Sequence, residues 1–231
     1  MQRFFIKNFQ STPLFVLKDE SIVHQINTVL RSKEGERCIF FDGVYPTDYV
    51  YELVAIKKRE LHFRWVDIIH KKSERKNICL YQAVPNKLEK LEYIIQKGTE
   101  VWISKFCFFR SERSQKLLLS DSKKERLQKI CEEATEQSGR NLVPSLVFSE
   151  TLDKVDGEAL FFDPSMDNSH RLSDFSQIKN MSLFVWPEWW WSEREIHQFL
   201  HFWYKKVSLG DFILRTETAG VVVTFFLHQN H

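Results

Sequence analysis

Hydrophobic residues follow a β-strand rhythm in roughly the first 70 residues of the chain. Residues 37–41, 49–56 and 60–68 are rich in β-branched and aromatic side chains, which predicts three strands. Asp19 or Ser21 can cap a helix, because apolar residues recur after them at three- and four-residue spacing, namely Ile22, Ile26, Val29 and Leu30. The sequence therefore predicts a β-rich N-terminal module that contains one helix.

From residue 77 onward, strand patterns alternate with helix patterns. Helices are predicted at 87–101 and from 216 to about 228, and two more begin at the capping boxes Ser122–Glu125 and Ser192–Glu195. The helix after Ser192 has an apolar side made of Ile196, Phe199, Leu200 and Trp203. Strands are expected at 78–84, 105–109, 159–162, 182–185 and 206–209. This alternation predicts an α/β domain with a mostly parallel sheet covered on both faces.

Composition and charge exclude some classes of protein but do not indicate a binding partner. The 231 residues include 33 Lys and Arg against 31 Asp and Glu, so the formal net charge is only +2. No apolar run is long enough for a membrane span, and the N terminus has no signal-peptide pattern. The four cysteines lie far apart and the eight histidines are scattered. We therefore expect a cytoplasmic protein with no membrane partner and no metal.

A polar, basic stretch at 70–76 separates the two patterns and is the natural linker. It divides the chain into domains at 1–72 and 73–231. Within 57–76, eight basic residues stand against three acidic ones. This cluster is either a solvated hairpin and linker or a surface that contacts nucleic-acid phosphates.

Three segments of the second domain are polar where a plain α/β scaffold does not need polarity. They are 111–114 after a strand, 136–140 at the end of a helix, and 209–219 between the last strand and the last helix. Each alone is more typical of a capped helix end or a solvated turn. Because ligands collect beyond the carboxyl ends of strands in open α/β sheets, the three together indicate a site.

These segments resemble one family. Glu136-Gln-Ser-Gly-Arg140, Ser111-Glu-Arg-Ser114 and Ile213-Leu-Arg-Thr-Glu-Thr-Ala219 resemble the bacterial small-subunit rRNA uridine-N3 methyltransferases, the RsmE family, as do Arg3-Phe-Phe5 and Phe41-Asp-Gly43. The resemblance implies a small PUA-like β-barrel that binds RNA, followed by a SPOUT-type α/β domain with a C-terminal trefoil knot. It also implies a homodimer that uses S-adenosyl-L-methionine (SAM) to methylate N3 of a uridine in 16S rRNA of the small ribosomal subunit.

The resemblance assigns cofactor and RNA contacts to individual residues. One SAM-binding loop comprises Trp186, Pro187, Glu188, Trp189 and Trp190. The walls that hold the adenine and methionine parts are Ser208, Leu209, Gly210, Ile213, Leu214, Thr216, Thr218 and Ala219. The candidate RNA contacts are Arg3, Arg113 and Arg140.

Two residues are candidates for the chemistry that the resemblance implies. Arg215 is expected to face the uracil oxygens or an rRNA phosphate, because a guanidinium is always charged and donates in a fork. Glu217 is expected to accept the N3 proton directly or through water. An acidic residue in the first turn of the last helix is equally well explained by the helix dipole.

The chain departs from the family pattern in one consistent way. Where the family has Gly-Pro-Glu-Gly-Gly, this chain reads Trp186-Pro-Glu-Trp-Trp190, and Trp102 and Trp203 also occupy usual glycine positions. Five of the seven tryptophans thus replace expected glycines, while the chain has only 7 glycines. Our hypothesis is that the gene uses UGA codons for glycine and that these are translated here as tryptophan.

Two other functions remain open from the sequence. One is an RNA-binding or ribosome-associated SPOUT homologue whose SAM pocket is blocked by tryptophan and whose catalysis is impaired. The other is a SPOUT enzyme that acts on tRNA. In either case the dimer interface is expected to use the last helix, unless its apolar residues Val221, Val222, Val223, Phe225 and Phe226 belong to the core.

Overall fold

The structure is a computed structural model that describes residues 1–71, 76–114, 118–163, 169–211 and 213–229. The chain divides into two compact units. The N-terminal unit comprises residues 1–73 and 135–143, and the second unit comprises 74–134 and 144–231. The expected boundary between 72 and 73 lies outside the described residues.

A five-stranded sheet forms the described part of the N-terminal unit. Its order is β1-β3-β4-β5-β2, with β1 parallel to β3 and the other neighbours antiparallel. The strand bounds are β1 Gln2–Phe5, β2 Leu14–Leu17, β3 Arg37–Phe41, β4 Thr47–Ile56 and β5 Leu61–His70. The predicted strands are confirmed, and β1 and β2 are additions that the sequence pattern missed because each is only four residues long.

Helix α1 of this unit spans Glu20–His24 and continues into a π-helical turn at Gln25–Val29. The side chain of Asp19 accepts a hydrogen bond from the Ile22 N–H at 3.0 Å, so Asp19 rather than Ser21 is the cap. Phe40 lies at the centre of the core, with the rings of Phe63 and Phe15 at 5.0 and 5.3 Å. The predicted helix residue Val29 is 67% exposed and lies outside that core.

Seven parallel strands form the sheet of the second unit within the described ranges, in the order β10-β12-β9-β11-β6-β7-β8. The strands are β6 Asn77–Ala83, β7 Lys105–Phe109, β8 Ser145–Ser149, β9 Glu158–Phe162, β10 His170–Arg171, β11 Asn180–Val185 and β12 Lys205–Ser208. The helices are α2 Leu88–Glu100, α3 Asp121–Ser138, α4 Glu193–His201 and α5 Thr216–Gln229, with a short 3₁₀ turn at Leu172–Phe175. The expected parallel α/β sheet is confirmed.

Several local predictions for this unit need correction. Helix α3 begins at Asp121, and the Lys124 N–H bonds the Ser120 carbonyl, so Ser122 lies inside the first turn and does not cap it. Leu200 and Trp203 are 49% and 83% exposed rather than inward. Trp203 lies beyond α4, which ends at His201. The sequence pattern also missed β8, a short edge strand, and the two-residue strand β10.

None of the helices in the described part of the chain is long and apolar enough to cross a membrane. Among the described residues, His, Cys, Asp and Glu do not gather in a group of three that could hold a metal ion.

Candidate active site at the carboxyl edge of the parallel sheet

Two of the predicted site segments meet at the carboxyl ends of strands β11 and β12, which lie on either side of β9. Because the strands of the second unit are parallel, the segments that follow β11 and β12 emerge at the same edge. The Thr216 hydroxyl, at the start of α5, donates to the Trp186 carbonyl directly after β11. The buried Gln82 side chain on β6 donates to the Thr216 hydroxyl at 2.8 Å. These bonds tie the segment 186–192 to the N-terminus of α5.

A group of three charged side chains lies beside this junction. Glu188 accepts hydrogen bonds at one oxygen from the Asn86 N–H at 2.8 Å and from the Lys90 ammonium at 3.1 Å. The same ammonium lies 3.9 Å from a carboxylate oxygen of Glu217. Burial alone would raise the pKa of Glu188, but the backbone N–H donors and Lys90 outweigh it and lower the pKa. One cation therefore serves two carboxylates from different segments.

The polar segment 111–114, which follows β7, also reaches residues next to this junction. The Arg113 guanidinium donates to the Trp189 carbonyl at 3.2 Å, and the Glu112 N–H donates to Glu195 at 3.1 Å. Glu195 and Ser192 form the predicted capping box at the start of α4, with mutual bonds of 3.1 and 2.9 Å. The capping box therefore fixes both the start of α4 and the position of the 111–114 turn.

The four tryptophans of the 186–191 segment differ sharply in environment. Trp186 is only 5% exposed, and its ring stacks on that of Trp190 at 4.7 Å between centroids. Trp189 is 65% exposed. Trp191, which occupies no expected glycine position, is buried and donates from its indole nitrogen to the Phe162 carbonyl at 2.8 Å. A buried and a partly buried indole ring thus stack on each other within the segment that the resemblance assigns to SAM.

The other predicted site residues follow β12 and the start of α5. Thr216 and Ala219 are buried, whereas Ile213 is 81% exposed and Arg215 is also exposed. The Ser208 hydroxyl accepts a hydrogen bond from the Gly210 N–H at 3.2 Å. The remaining members of the set are partly buried: Leu209, Leu214, Glu217 and Thr218. Phe212, between them, lies outside the described residues.

The third polar segment, 136–140, groups with the N-terminal unit and not with the other two. The Arg3 guanidinium donates to the Arg140 carbonyl at 2.9 Å and pairs with Asp48. Arg140 itself is 1% exposed. The carboxylate of Glu136 accepts a hydrogen bond from the Phe5 N–H at 2.6 Å. Burial and these bonds give Arg3 and Arg140 a structural role within this unit, whereas Arg113 is exposed.

Sequence reasoning missed three residues of the junction: Gln82, Asn86 and Lys90. Gln82 did give a signal, because it is a polar residue near the end of a strand that is otherwise apolar and buried. Lys90 gave none, since a lysine in the first turns of an amphipathic helix is typical of an exposed face.

Comparison with known proteins decides the family. Residues 72–228 match the model of the RNA methyltransferase domain family. The chain is 31% identical to ribosomal RNA small subunit methyltransferase E of Bacillus subtilis, over 95% of this chain and 93% of that protein. The chain belongs to the ribosomal RNA small subunit methyltransferase E family.

Other members of the methyltransferase E family match over nearly their whole length. The protein of Mesomycoplasma hyopneumoniae is 26% identical, with 96% of both chains covered. The crystal structure of the Neisseria gonorrhoeae methyltransferase E, bound to S-adenosyl methionine, has a TM-score of 0.87 and 27% identity, over 99% of this chain and 97% of that one. The full-length match includes the N-terminal unit as well as the methyltransferase domain.

Proposed function

We propose that this protein transfers a methyl group from SAM to N3 of a uridine in 16S rRNA of the small ribosomal subunit. Membership in the methyltransferase E family supports the reaction class, and the N. gonorrhoeae relative was crystallised with SAM. The observation that carries the proposal is the contact between Thr216 and Trp186. It joins the two segments, 186–190 and 208–219, that the resemblance assigns to the cofactor.

The proposal also covers the fold of the two units and the location of the protein in the cell. It includes a C-terminal trefoil knot in a SPOUT domain and a PUA-like barrel at the N terminus, both implied by the resemblance. The five-stranded N-terminal sheet with helix α1 supports the second. Because the substrate is ribosomal RNA, we propose a cytoplasmic protein.

The residues that line this edge fit SAM only in their backbone. The backbone suits it, because two segments converge at the carboxyl ends of parallel strands and Gln82 and Thr216 hold them together. The side chains do not suit it. Trp186 is buried and stacked on Trp190, where glycine would let the backbone approach a ligand closely. The tryptophans at 186 and 190 and a bound SAM compete for the same space.

Methylation at N3 of uracil requires that this nitrogen lose its proton and be accessible. This nitrogen bears a proton in the neutral base, and its edge is hidden when the base is paired, so the base must be unpaired or flipped out. In the proposal Glu217 accepts the N3 proton, and Lys90 at 3.9 Å positions its carboxylate. Arg215, exposed at the start of α5, donates to the uracil oxygens or to a phosphate.

The RNA contacts of the proposal are not equivalent. Arg113 is exposed and held by the Trp189 carbonyl, so its guanidinium is available to a phosphate. Arg3 and Arg140 act indirectly in this proposal, because the first is paired with Asp48 and the second is buried. They position the 139–141 segment rather than contact RNA themselves.

A homodimer is part of the proposal, and α5 supplies its supporting observation. Val222 and Phe225 are 46% and 55% exposed, whereas Val223 on the opposite side is buried. Exposed apolar residues on one helix face are typical of an interface. Sedimentation of the wild-type chain should give a dimer mass, and Phe225→Asp should give a monomer. A monomeric wild-type chain at micromolar concentration would remove the dimer from the proposal.

The proposed reaction is tested with labelled SAM and two substrates, small ribosomal subunits lacking the modification and bulk tRNA. The assay compares the chain as it stands with its glycine form, in which residues 102, 186, 189, 190 and 203 are glycine. We expect label in 16S rRNA only, at N3 of one uridine by mass spectrometry, and chiefly with the glycine form. Label in tRNA, or none in either RNA with both forms, would contradict the proposal.

One observation favours a second candidate function. The stacked rings of Trp186 and Trp190 plug the proposed cofactor position, as expected of a homologue that binds rRNA without catalysis. This candidate predicts that the chain as it stands binds small subunits tightly. It also predicts that the glycine form neither binds SAM nor methylates RNA.

A further inference from the structure

Three tryptophans have a backbone conformation that L-amino acids avoid. The φ angles of Trp102, Trp190 and Trp203 are +74°, +64° and +65°. Among the described residues, only two other non-glycine residues, Asn8 and Arg31, have positive φ. Asparagine tolerates this left-handed region, but a bulky aromatic side chain is a genuine outlier there.

At Trp102, the hydrogen bonds explain why the backbone turns this way. Trp102 follows Val101, the C-cap of α2. The Ile103 N–H bonds the Gly98 carbonyl at 3.0 Å, and the Trp102 N–H bonds the Thr99 carbonyl at 3.1 Å. This pair of bonds is the Schellman motif, in which the residue after the C-cap is left-handed and is usually glycine.

Trp203 repeats the same geometry at the end of α4. It follows the C-cap Phe202, the Tyr204 N–H bonds the Phe199 carbonyl at 3.0 Å, and the Trp203 N–H bonds the Leu200 carbonyl at 3.0 Å. The Trp203 side chain is 83% exposed, so little packing compensates for the strain. Nothing about this position favours tryptophan.

Trp190 closes a turn in the segment after β11. Its N–H bonds the Pro187 carbonyl at 3.1 Å, and its φ is positive. The backbone at the other four tryptophans, all within the described ranges, does not have positive φ: Trp65, Trp186, Trp189 and Trp191. The indole N–H of Trp191 also donates a buried hydrogen bond to the Phe162 carbonyl, which a glycine at this position would not provide.

We infer that the fold requires glycine at positions 102, 190 and 203, and that the functional protein has glycine there. Blockage of a cofactor pocket that no longer binds SAM would explain Trp190. It would not explain Trp102 and Trp203, which follow the ends of two helices. A single misread codon explains all three. The same codon is then expected at 186 and 189, whereas Trp65 and Trp191 are expected to be encoded by the ordinary tryptophan codon.

The coding DNA gives the first test. We expect UGA at codons 102, 186, 189, 190 and 203 and UGG at codons 65 and 191. UGG at 102, 190 and 203 would overturn the inference. Mass spectrometry of the protein isolated from its own cells gives the second test, because glycine and tryptophan residues differ greatly in mass.

A stability test needs neither the DNA nor SAM. We expect Trp203→Gly to raise the folded-to-unfolded ratio in urea by about threefold to tenfold, because glycine removes the left-handed strain. Trp203→Ala keeps a Cβ in the same conformation, so it should leave the ratio within about twofold. Trp102→Gly and Trp102→Ala repeat the comparison. The inference fails if alanine stabilises as much as glycine, or if glycine destabilises at both positions.

The inference also predicts that the glycine form binds SAM. This prediction rests on the proposed function and is measured separately from stability. Calorimetry should detect SAM binding to the glycine form and none to the chain as it stands. Trp191→Gly in the glycine form is the matched control, and it should weaken binding or unfold the protein. If the stability test succeeds and the glycine form does not bind SAM, the proposed function fails while the inference on glycine stands.

Discussion

The ammonium of Lys90 lies 3.1 Å from a carboxylate oxygen of Glu188 and thereby connects α2 to the segment after β11. The side chains of Lys90 and Glu188 are only 26% and 16% exposed, so solvent screens their attraction incompletely. The same ammonium approaches Glu217 at the start of α5. One lysine therefore links three parts of the proposed active site.

Replacing Lys90 by methionine should loosen this link. Met keeps the apolar stem but leaves Glu188 and Glu217 close together without their cation. We expect Lys90→Met to lower the free energy of unfolding by about 1–2 kcal/mol in urea titrations. Lys97→Met is the matched control on the same helix, because Lys97 pairs with Glu100 at an exposed position. An equal loss in both variants would show that Lys90 has no special role.

The lowered pKa of Glu188 makes stability depend on acid pH. A carboxyl whose folded pKa lies below its unfolded value contributes stability above the unfolded value, near 4.5, and loses it as the pH falls through the folded pKa. Glu188→Gln removes this titration but keeps an oxygen to accept from Asn86. We therefore expect the variant to be less stable than wild type at pH 7, with the two converging as the pH falls below about 4.5. Parallel stability curves from pH 7 to pH 3 would exclude this contribution.

Asp48 organises the charged cluster of the N-terminal unit. Its carboxylate pairs with Arg3, with Lys71 at 3.1 Å and with the Asn141 amide, and its side chain is 2% exposed. Asp48→Ala leaves two cations without their buried partner, so we expect a loss of about 3–5 kcal/mol in unfolding free energy. Glu52→Ala is the control, because its partner Arg64 is 60% exposed, and it should cost less than about 1 kcal/mol. Similar losses for the two variants would contradict a buried role for Asp48.

The sequence was sufficient for the elements with strong periodicity. Helix α2 and strand β7 were predicted within one residue, because an amphipathic face and a run of apolar residues mark them clearly. The capping box Ser192–Glu195 was also confirmed, since both of its hydrogen bonds are local. Predictions that depend only on neighbouring residues thus did well, except for the capping box at Ser122–Glu125, because α3 begins at Asp121.

Predictions that depend on tertiary packing did less well. Segment 136–140 could not be assigned to the N-terminal unit in advance, because its bonds to Arg3 and Phe5 span more than 130 residues. Lys90 was missed for the same reason, since Glu188 is 98 residues away. The local pattern did not predict the left-handed backbone at Trp102 and Trp203, because tryptophan hides the glycine signal that usually marks a helix end. Only the family resemblance marked these two positions as usual glycines.

Arg113 offers a direct test of the RNA interface in the proposed function. Its guanidinium is exposed and donates to the Trp189 carbonyl, so it lies beside the proposed active site. A guanidinium has five N–H donors, and the others can bind a phosphate. If it contacts a phosphate, Arg113→Ala should weaken binding to small subunits and reduce the salt dependence by about one counterion. Arg126→Ala is the matched control, because this exposed arginine is already paired with Glu92 at 2.8 Å. Binding measured between 50 and 200 mM salt separates the two. An unchanged salt slope for Arg113→Ala would place the RNA elsewhere, whereas a reduced slope for both variants would indicate a general effect of surface charge.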